Sequence, residues 1–253
     1  MIALDRKECA LWWAEAGCAD PASLAALLPA AERERAGRLR RAVDRDRTIT
    51  AWALVRTLLG DLLGEDPPAV AIERHCVRCG SSEHGKPRLT DTSAAIHFSL
   101  AHSGPHVVVA VSRAGPVGVD VECLNPARDY RPLYRKTLTA DEAVAFRAGG
   151  ARPHDFLRTW VRKEAVTKAV GTGIATPFDT FAVGGGANLA TLLTWPDDPS
   201  LVDRTTLLDL PGDPDRPAAV AVLARDVRVS EHEGAPVLGA AAGAGEARLP
   251  DRR

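Results

Sequence analysis

The sequence predicts an α+β fold of two comparable lobes, because helical blocks and groups of strand-like runs alternate twice along the chain. A helical block over about residues 21–64 precedes strand-like runs between residues 95 and 122. A second helical block, over about 139–170, precedes short strands that end near residue 224.

In the first block, Leu24, Leu27 and Leu28 recur at helical spacing, as do Ile49, Trp52, Val55, Leu58, Leu59 and Leu62. Gly64 and Pro67–Pro68 stop that helix. The run Glu32–Arg47 is dense in arginine, which fits either a solvated helix face with i,i+4 pairs or an anion-binding stretch. Residues 76–88 read as irregular. Ala95–Leu100, His106–Ser112 and Val117–Glu122 read as strands, parted by turn signals at Ser103–Gly104 and Ala114–Gly115–Pro116. Thr139 and Glu142 match a capping box, and Pro153–Val170 reads as a helix closed by Gly171 and Gly173. Short strands are expected at Phe178–Val183, Ala190–Thr194, Thr205–Asp209 and Ala218–Ala224. Residues 227–253, rich in Ala, Gly, Pro and charge, read as a disordered tail.

Composition narrows the class of function. The 253 residues carry a formal net charge of −1, so no global basic field argues for nucleic acid. No stretch approaches the roughly 20 apolar residues of a membrane span. Asp5, Arg6, Lys7 and Glu8 interrupt any signal-peptide pattern, and a cytoplasmic location is the expectation. Five cysteines in such a chain do not predict a disulfide framework. Cys76 and Cys79, flanked by His75 and His84, form one CxxC knuckle; a zinc loop and reduced structural cysteines both stay open.

The most informative segment is Gly118-Val119-Asp120-Val121-Glu122. On a strand, Asp120 and Glu122 share one face while Val119 and Val121 take the other. Paired carboxylates are either two solvated acids or ligands to a cation that relieves their repulsion. On the later helix, Trp160, Glu164 and Lys168 fall at i, i+4 and i+8 along one stripe. That stripe is either a pocket wall or a packed Trp beside a Glu–Lys pair. If the helix crosses the strand, Asp120, Glu122 and Glu164 make an oxygen shell suited to Mg²⁺, a hard ion that takes carboxylates, water and substrate phosphates. A soft transition metal fits less well.

Four segments together, Gly85-Lys86-Pro87, Phe98-Ser99-Leu100-Ala101-His102-Ser103-Gly104, Gly118-Val-Asp120-Val-Glu122 and Trp160-x-x-Lys163-Glu164-x-x-x-Lys168-x-x-Gly171, resemble the 4′-phosphopantetheinyl transferases. The resemblance is to the larger, two-lobed, broad-acceptor type that serves polyketide and nonribosomal peptide synthetases, and it covers about residues 32–224. It implies two pseudo-symmetric α/β lobes with the active site at their interface. Residues 1–112 would form a first lobe with the coenzyme A nucleotide contacts, and residues 113–226 a second lobe with the metal and the catalytic helix. The implied reaction is Mg²⁺-dependent transfer of 4′-phosphopantetheine from coenzyme A to a serine of an apo acyl or peptidyl carrier protein, by a monomer.

Carried over by position, the resemblance implies metal ligation by Asp120, Glu122 and Glu164, and catalysis by Glu164 and Lys168. Coenzyme A contacts are implied for Arg47, Lys86, Pro87, Arg88, Ala101, His102, Lys163 and Lys168, with Arg56 in register nine residues after Arg47. Ala101 stands where a serine is usual and Thr172 where a lysine often follows Gly171. Glu32 stands where a lysine is expected. Glu164, directly or through water, is the expected base, with His102 assigned to the 3′-phosphate instead. An apolar docking surface for an acidic carrier helix is expected between the lobes, near Leu133–Leu138. Two competing readings are a non-catalytic coenzyme A or carrier-binding module and a Mg²⁺-dependent phosphohydrolase.

Overall fold

The structure, a computed structural model, describes residues 2–75, 79–82, 85–185 and 189–246. Strand β1 (Glu8–Glu15) leads into helices α1 (Pro21–Ala26), α2 (Ala30–Gly37) and α3 (Ala42–Leu63). The antiparallel pair β2 (Ile72–His75) and β3 (Lys86–Leu89) follows, then β4 (His97–Ser103), β5 (His106–Ser112) and β6 (Val117–Val121). Helices α4 (Arg131–Thr137), α5 (Ala140–Ala148) and α6 (Pro153–Val170) come next. The chain continues through α7 (Ser200–Asp203), β7 (Thr206–Asp209) and β8 (Ala218–Val222) to β9 (Arg228–Glu233) and α8 (Ala235–Glu246). Among the described residues no helix is long and apolar enough to cross a membrane.

Two sheets and their helices make four layers. The first sheet has the order β4-β5-β1-β9, the second β6-β8-β7. Period-two alternation assigns each strand's residues to a layer. Trp12 of β1 and Val107, Val109 and Val111 of β5 pack with Leu54 and Leu58 of α3 and Leu238 of α8. The opposite face of that sheet, with Leu11, Val108 and Ala110, meets Val117, Val119 and Val121 of β6 and Val220 of β8. The outer face of the second sheet, with Ala219 and Ala221, is covered by Val161, Ala165 and Ala169 of α6.

One residue permits that last contact. An ideal Cβ on Gly118 would lie 2.0 Å from the Ala165 carbonyl oxygen and 2.4 Å from the Ala169 nitrogen. Real Cβ atoms do not approach backbone this closely, so α6 can rest on β6 only because Gly118 has none.

Several sequence expectations change. The first block is three helices rather than one, although α3 ends as expected with Gly64 in the left-handed region (φ 72°). The capping box forms: Thr139 Oγ1 accepts from the Glu142 nitrogen while Glu142 Oε2 accepts from the Thr139 nitrogen. The expected strands at 178–183 and 190–194 are instead a short 3-10 turn and an isolated bridge between Val183 and Leu192. Strand β1 was not anticipated, yet Cys9–Ala14 is a continuous apolar run, the mark of a strand covered on both faces.

The expected tail at 227–253 is corrected as far as residue 246. Strand β9 pairs in parallel with β1, His232 stacks on Trp12 at 5.1 Å between ring centroids, and Leu238 is fully buried. The chain thus returns to the first sheet. An edge strand such as Arg228-Val-Ser-Glu-His-Glu233 shows polar residues outward, so its sequence lacks the alternation that reveals a strand.

Gly118→Ala is expected to lower the unfolding free energy by at least the ~1–3 kcal/mol of an overpacked core, and the urea midpoint with it. Urea unfolding checks this, and a wild-type midpoint would show that α6 does not depend on the missing Cβ.

Candidate active site

Because α6 lies on β6 at Gly118, its next turn brings Lys168 against Asp120. Lys168 Nζ donates to Asp120 Oδ1 at 2.7 Å and to the Val119 carbonyl at 3.1 Å. Asp120 is buried, 7 % exposed, and its second oxygen, Oδ2, has no hydrogen-bond partner. Burial raises its pKa even though the Lys168 ammonium pulls the other way. Glu122, just beyond β6, accepts from Ser103 Oγ at 2.9 Å, and burial followed by the charge of Asp120 raises its pKa. Glu164 is pushed up to about 7 by burial and then by the charge of Asp120, with a smaller push from Glu122 against the pull of Lys168.

The three acids therefore feel one another, but they do not converge on a point. Among the described residues no three His, Cys, Asp or Glu side chains are gathered to hold an ion, and the Lys168 ammonium serves Asp120 instead. The donor set nevertheless suits a hard cation. A buried carboxylate oxygen without a partner and a glutamate driven toward its protonated form are both relieved by added positive charge.

The expected coenzyme A contacts divide. His102 is exposed, while its shielding from water by surrounding protein, then the charges of Arg47 and Lys168, lower its pKa. Arg47 reaches the same place from α3: its guanidinium donates to the Gly104 carbonyl at 2.8 Å and pairs with Asp44, and its Nε is buried without a partner. These two stay together beside Lys168. Ala101 is on the same strand but faces the other way, into the core between the sheets, so its side chain does not line the site.

Lys163 is corrected. Its side chain is fully buried, and Nζ is surrounded by Glu142 Oε2 at 2.6 Å and the carbonyls of Thr137, Phe178 and Phe181. Position 163 precedes Glu164 by one residue, about 100° around the helix, which turns it into the core. Lys86 is corrected in the same sense. Its Nζ donates to the carbonyls of Val117 (3.0 Å) and Ala169 (2.9 Å), strapping β6 to the end of α6, and burial lowers its pKa to about 8. Pro87 pairs with Arg74 in the β2–β3 ladder, and Arg88 is held by Glu73 at 2.7 Å. Arg56 is buried, bidentate on Glu32, and bonded to the Pro67 and Val70 carbonyls. That pairing accounts for an acid at position 32. Trp160 packs between Phe156 and Phe178, a core role rather than a pocket wall. Cys76 and His84 lie outside the described residues.

Two predictions follow from these placements. Lys163→Ala leaves the Glu142 carboxylate buried without its cation and is expected to cost about 3–5 kcal/mol of stability; chemical denaturation reads this. A wild-type midpoint would put Lys163 back among the ligand contacts. The second concerns pH. The folded-state value of Glu164, about 7, lies above its ordinary 4.5, so between those values the folded protein holds the extra proton. Stability of the metal-free protein is expected to fall as pH rises from about 4.5 to about 7, with Asp120 and Glu122 acting in the same direction. Glu164→Gln should flatten that slope, measured as urea midpoints across the window.

Residues 116–220 match the family model for the 4′-phosphopantetheinyl transferase superfamily, a stretch that contains Gly118, Asp120, Glu122, Glu164 and Lys168. A phosphopantetheinyl transferase of Thraustochytrium sp. is 31% identical over 167 residues, 60% of this chain and 56% of the relative. The 4′-phosphopantetheinyl transferase HetI of Nostoc sp. is 32% identical over 156 residues, 60% of this chain and 63% of the relative. The 4′-phosphopantetheinyl transferase psf-1 of Bacillus pumilus is 28% identical over 205 residues, 79% of this chain and 80% of the relative. The matches to the Thraustochytrium and Nostoc proteins span less than two thirds of those relatives' own lengths. The helix that crosses Gly118, its Glu164 and Lys168, Asp120 of β6 and Glu122 just past it all lie within the stretch that is similar to the 4′-phosphopantetheinyl transferase superfamily.

Proposed function

We propose that the protein transfers the 4′-phosphopantetheine group of coenzyme A to a serine hydroxyl of an apo acyl or peptidyl carrier protein, with Mg²⁺ as cofactor. The observation that carries this reading is the meeting of Lys168 with Asp120 beside Glu164, with Oδ2 of Asp120 left without a partner. Asp120, Glu122 and Glu164 are the residues that would hold the ion. Bound there, Mg²⁺ would neutralise the pyrophosphate oxygens of coenzyme A.

The remaining chemistry belongs to the chain. The carrier serine oxygen forms a bond to the phosphorus that bears the pantetheine arm. The bond from that phosphorus to the bridging oxygen breaks, and adenosine 3′,5′-bisphosphate leaves with the electron pair. The serine proton needs an acceptor, and a carboxylate with a pKa of about 7 is matched to that task near neutrality. Glu164 takes it directly or through a water. Lys168 places positive charge where the leaving oxygen becomes negative. His102, exposed, and Arg47, half-buried beside it, are suited to the 3′-phosphate, and a neutral imidazole still donates one hydrogen bond to it.

The carrier surface reads differently from its sequence expectation. In the 131–138 segment Thr137 and Leu138 are buried, while Arg131, Arg135 and Lys136 face solvent. A basic rather than apolar face therefore fits an acidic carrier helix there.

Incubation with coenzyme A, Mg²⁺ and an apo carrier protein is expected to add one phosphopantetheine mass to the carrier, read by mass spectrometry. Glu164→Gln and Lys168→Ala should each lower the rate by roughly the 10²–10⁴-fold of a positioned acid–base or electrostatic group. Coenzyme A cleavage without carrier modification would establish a hydrolase, and binding without turnover a binding module.

A further inference from the structure

We infer that Ser103 is a positioning residue that holds the Glu122 carboxylate across the boundary between the two sheets, leaving one oxygen of that carboxylate for the cation. The inference rests on the reading of Asp120, Glu122 and Glu164 as metal ligands. Glu122 lies just past the end of β6, beyond the ladder that fixes Val117–Val121, with its backbone nitrogen tied to the Pro217 carbonyl at 3.0 Å. Its side chain takes its orientation from the first sheet. Ser103, the last residue of β4, donates Oγ–H to Glu122 Oε2 at 2.9 Å and accepts on the same oxygen from the Cys123 nitrogen at 3.0 Å.

Two further contacts fix the hydroxyl itself. Cys123 Sγ donates to the Ser103 carbonyl at 3.3 Å, so residues 103 and 123 are joined by backbone as well as side chain. A Cβ on Gly104 would lie 2.8 Å from Cys123 Sγ, and φ there is +56°, so only glycine lets the β4–β5 turn close on Cys123. Ser99 Oγ repeats the link four residues earlier, accepting from the Val119 nitrogen at 3.1 Å. Serine hydroxyls on β4 thus set the register between β4 and β6.

The chemistry follows from the hydroxyl's capacities. The Cys123 N–H takes one of the hydroxyl's two lone pairs, and the single Ser103 proton goes to Oε2 of Glu122. Oε2 is thereby engaged and Oε1 is left toward the cation. Outer partners of this kind orient ligating carboxylates, and their loss commonly weakens metal binding 10–100-fold.

The test measures Mg²⁺ affinity apart from turnover, by thermal shift over a Mg²⁺ titration with and without coenzyme A. In Ser103→Ala the half-saturating Mg²⁺ concentration is expected to rise at least ~10-fold, with coenzyme A affinity in the absence of metal unchanged. Ser103→Thr, which keeps the hydroxyl, should restore the wild-type value. A purely structural role would weaken coenzyme A and Mg²⁺ binding alike, and that result overturns the inference. Should Ser103→Ala fail to fold, Ser103→Cys and Ser103→Thr carry the comparison: the weak thiol donor must bind Mg²⁺ less tightly than threonine, and equal affinities overturn it. A wild-type protein indifferent to Mg²⁺ overturns the metal reading itself. A responsive wild type matched by Ser103→Ala overturns the Ser103 assignment alone.

Discussion

The approach of α6 to β6 over the bare Cα of Gly118 is the constraint from which the candidate site follows. With a side chain there, helix and strand would stand apart by the width of a methyl group or more, and Lys168 would not reach Asp120. With none, the ammonium, the buried carboxylate and Glu164 fall into one small region in which Asp120 Oδ2 has no partner and the Glu164 pKa is raised. Lys86 tightens the same contact from a different direction, by bonding one carbonyl on β6 and another in the last turn of α6.

Helix α6 is held on its other faces by two ion pairs, one buried at Lys163–Glu142 and one joining the buried Arg162 to the exposed Asp209. Arg162 makes a bidentate pair with Asp209 at the end of β7 and also bonds the Gly184 carbonyl. Lys163 pairs with Glu142, which in turn caps α5 through Thr139 and accepts from the Val183 nitrogen. Pairs of this kind add little net stability over apolar packing, but breaking one partner is costly. They therefore restrict the rotation of α6 about its axis more than they strengthen the fold. That restriction keeps Glu164 and Lys168 turned toward β6.

Strand β4 and helix α3 reach the site from the side of the first sheet. Arg47 supplies positive charge there and His102, its pKa lowered, a ring donor, while Ser103 reaches Glu122. The acids come from β6, its end and α6, and cations come from both sides, Arg47 of α3 and Lys168 of α6. An anionic ligand held there would meet both cations.

The sequence by itself determined the elements whose signals are local. The capping box at Thr139–Glu142, the span Pro153–Val170, the left-handed stop at Gly64 and the turning of Val119 and Val121 away from the face of Asp120 all depend on neighbours within a few residues. Only the tertiary structure decided which charged residues the core encloses and which it leaves at the candidate site. Lys163 and Lys168 are both lysines on one helix, and the difference in their fates lies in what packs over each: four oxygens from distant segments enclose the first, while the second meets the Asp120 carboxylate. Strand β9 and helix α8 were hidden for a related reason. Their order comes from pairing with β1 more than 200 residues away, and a polar edge strand carries no trace of that partner in its own pattern.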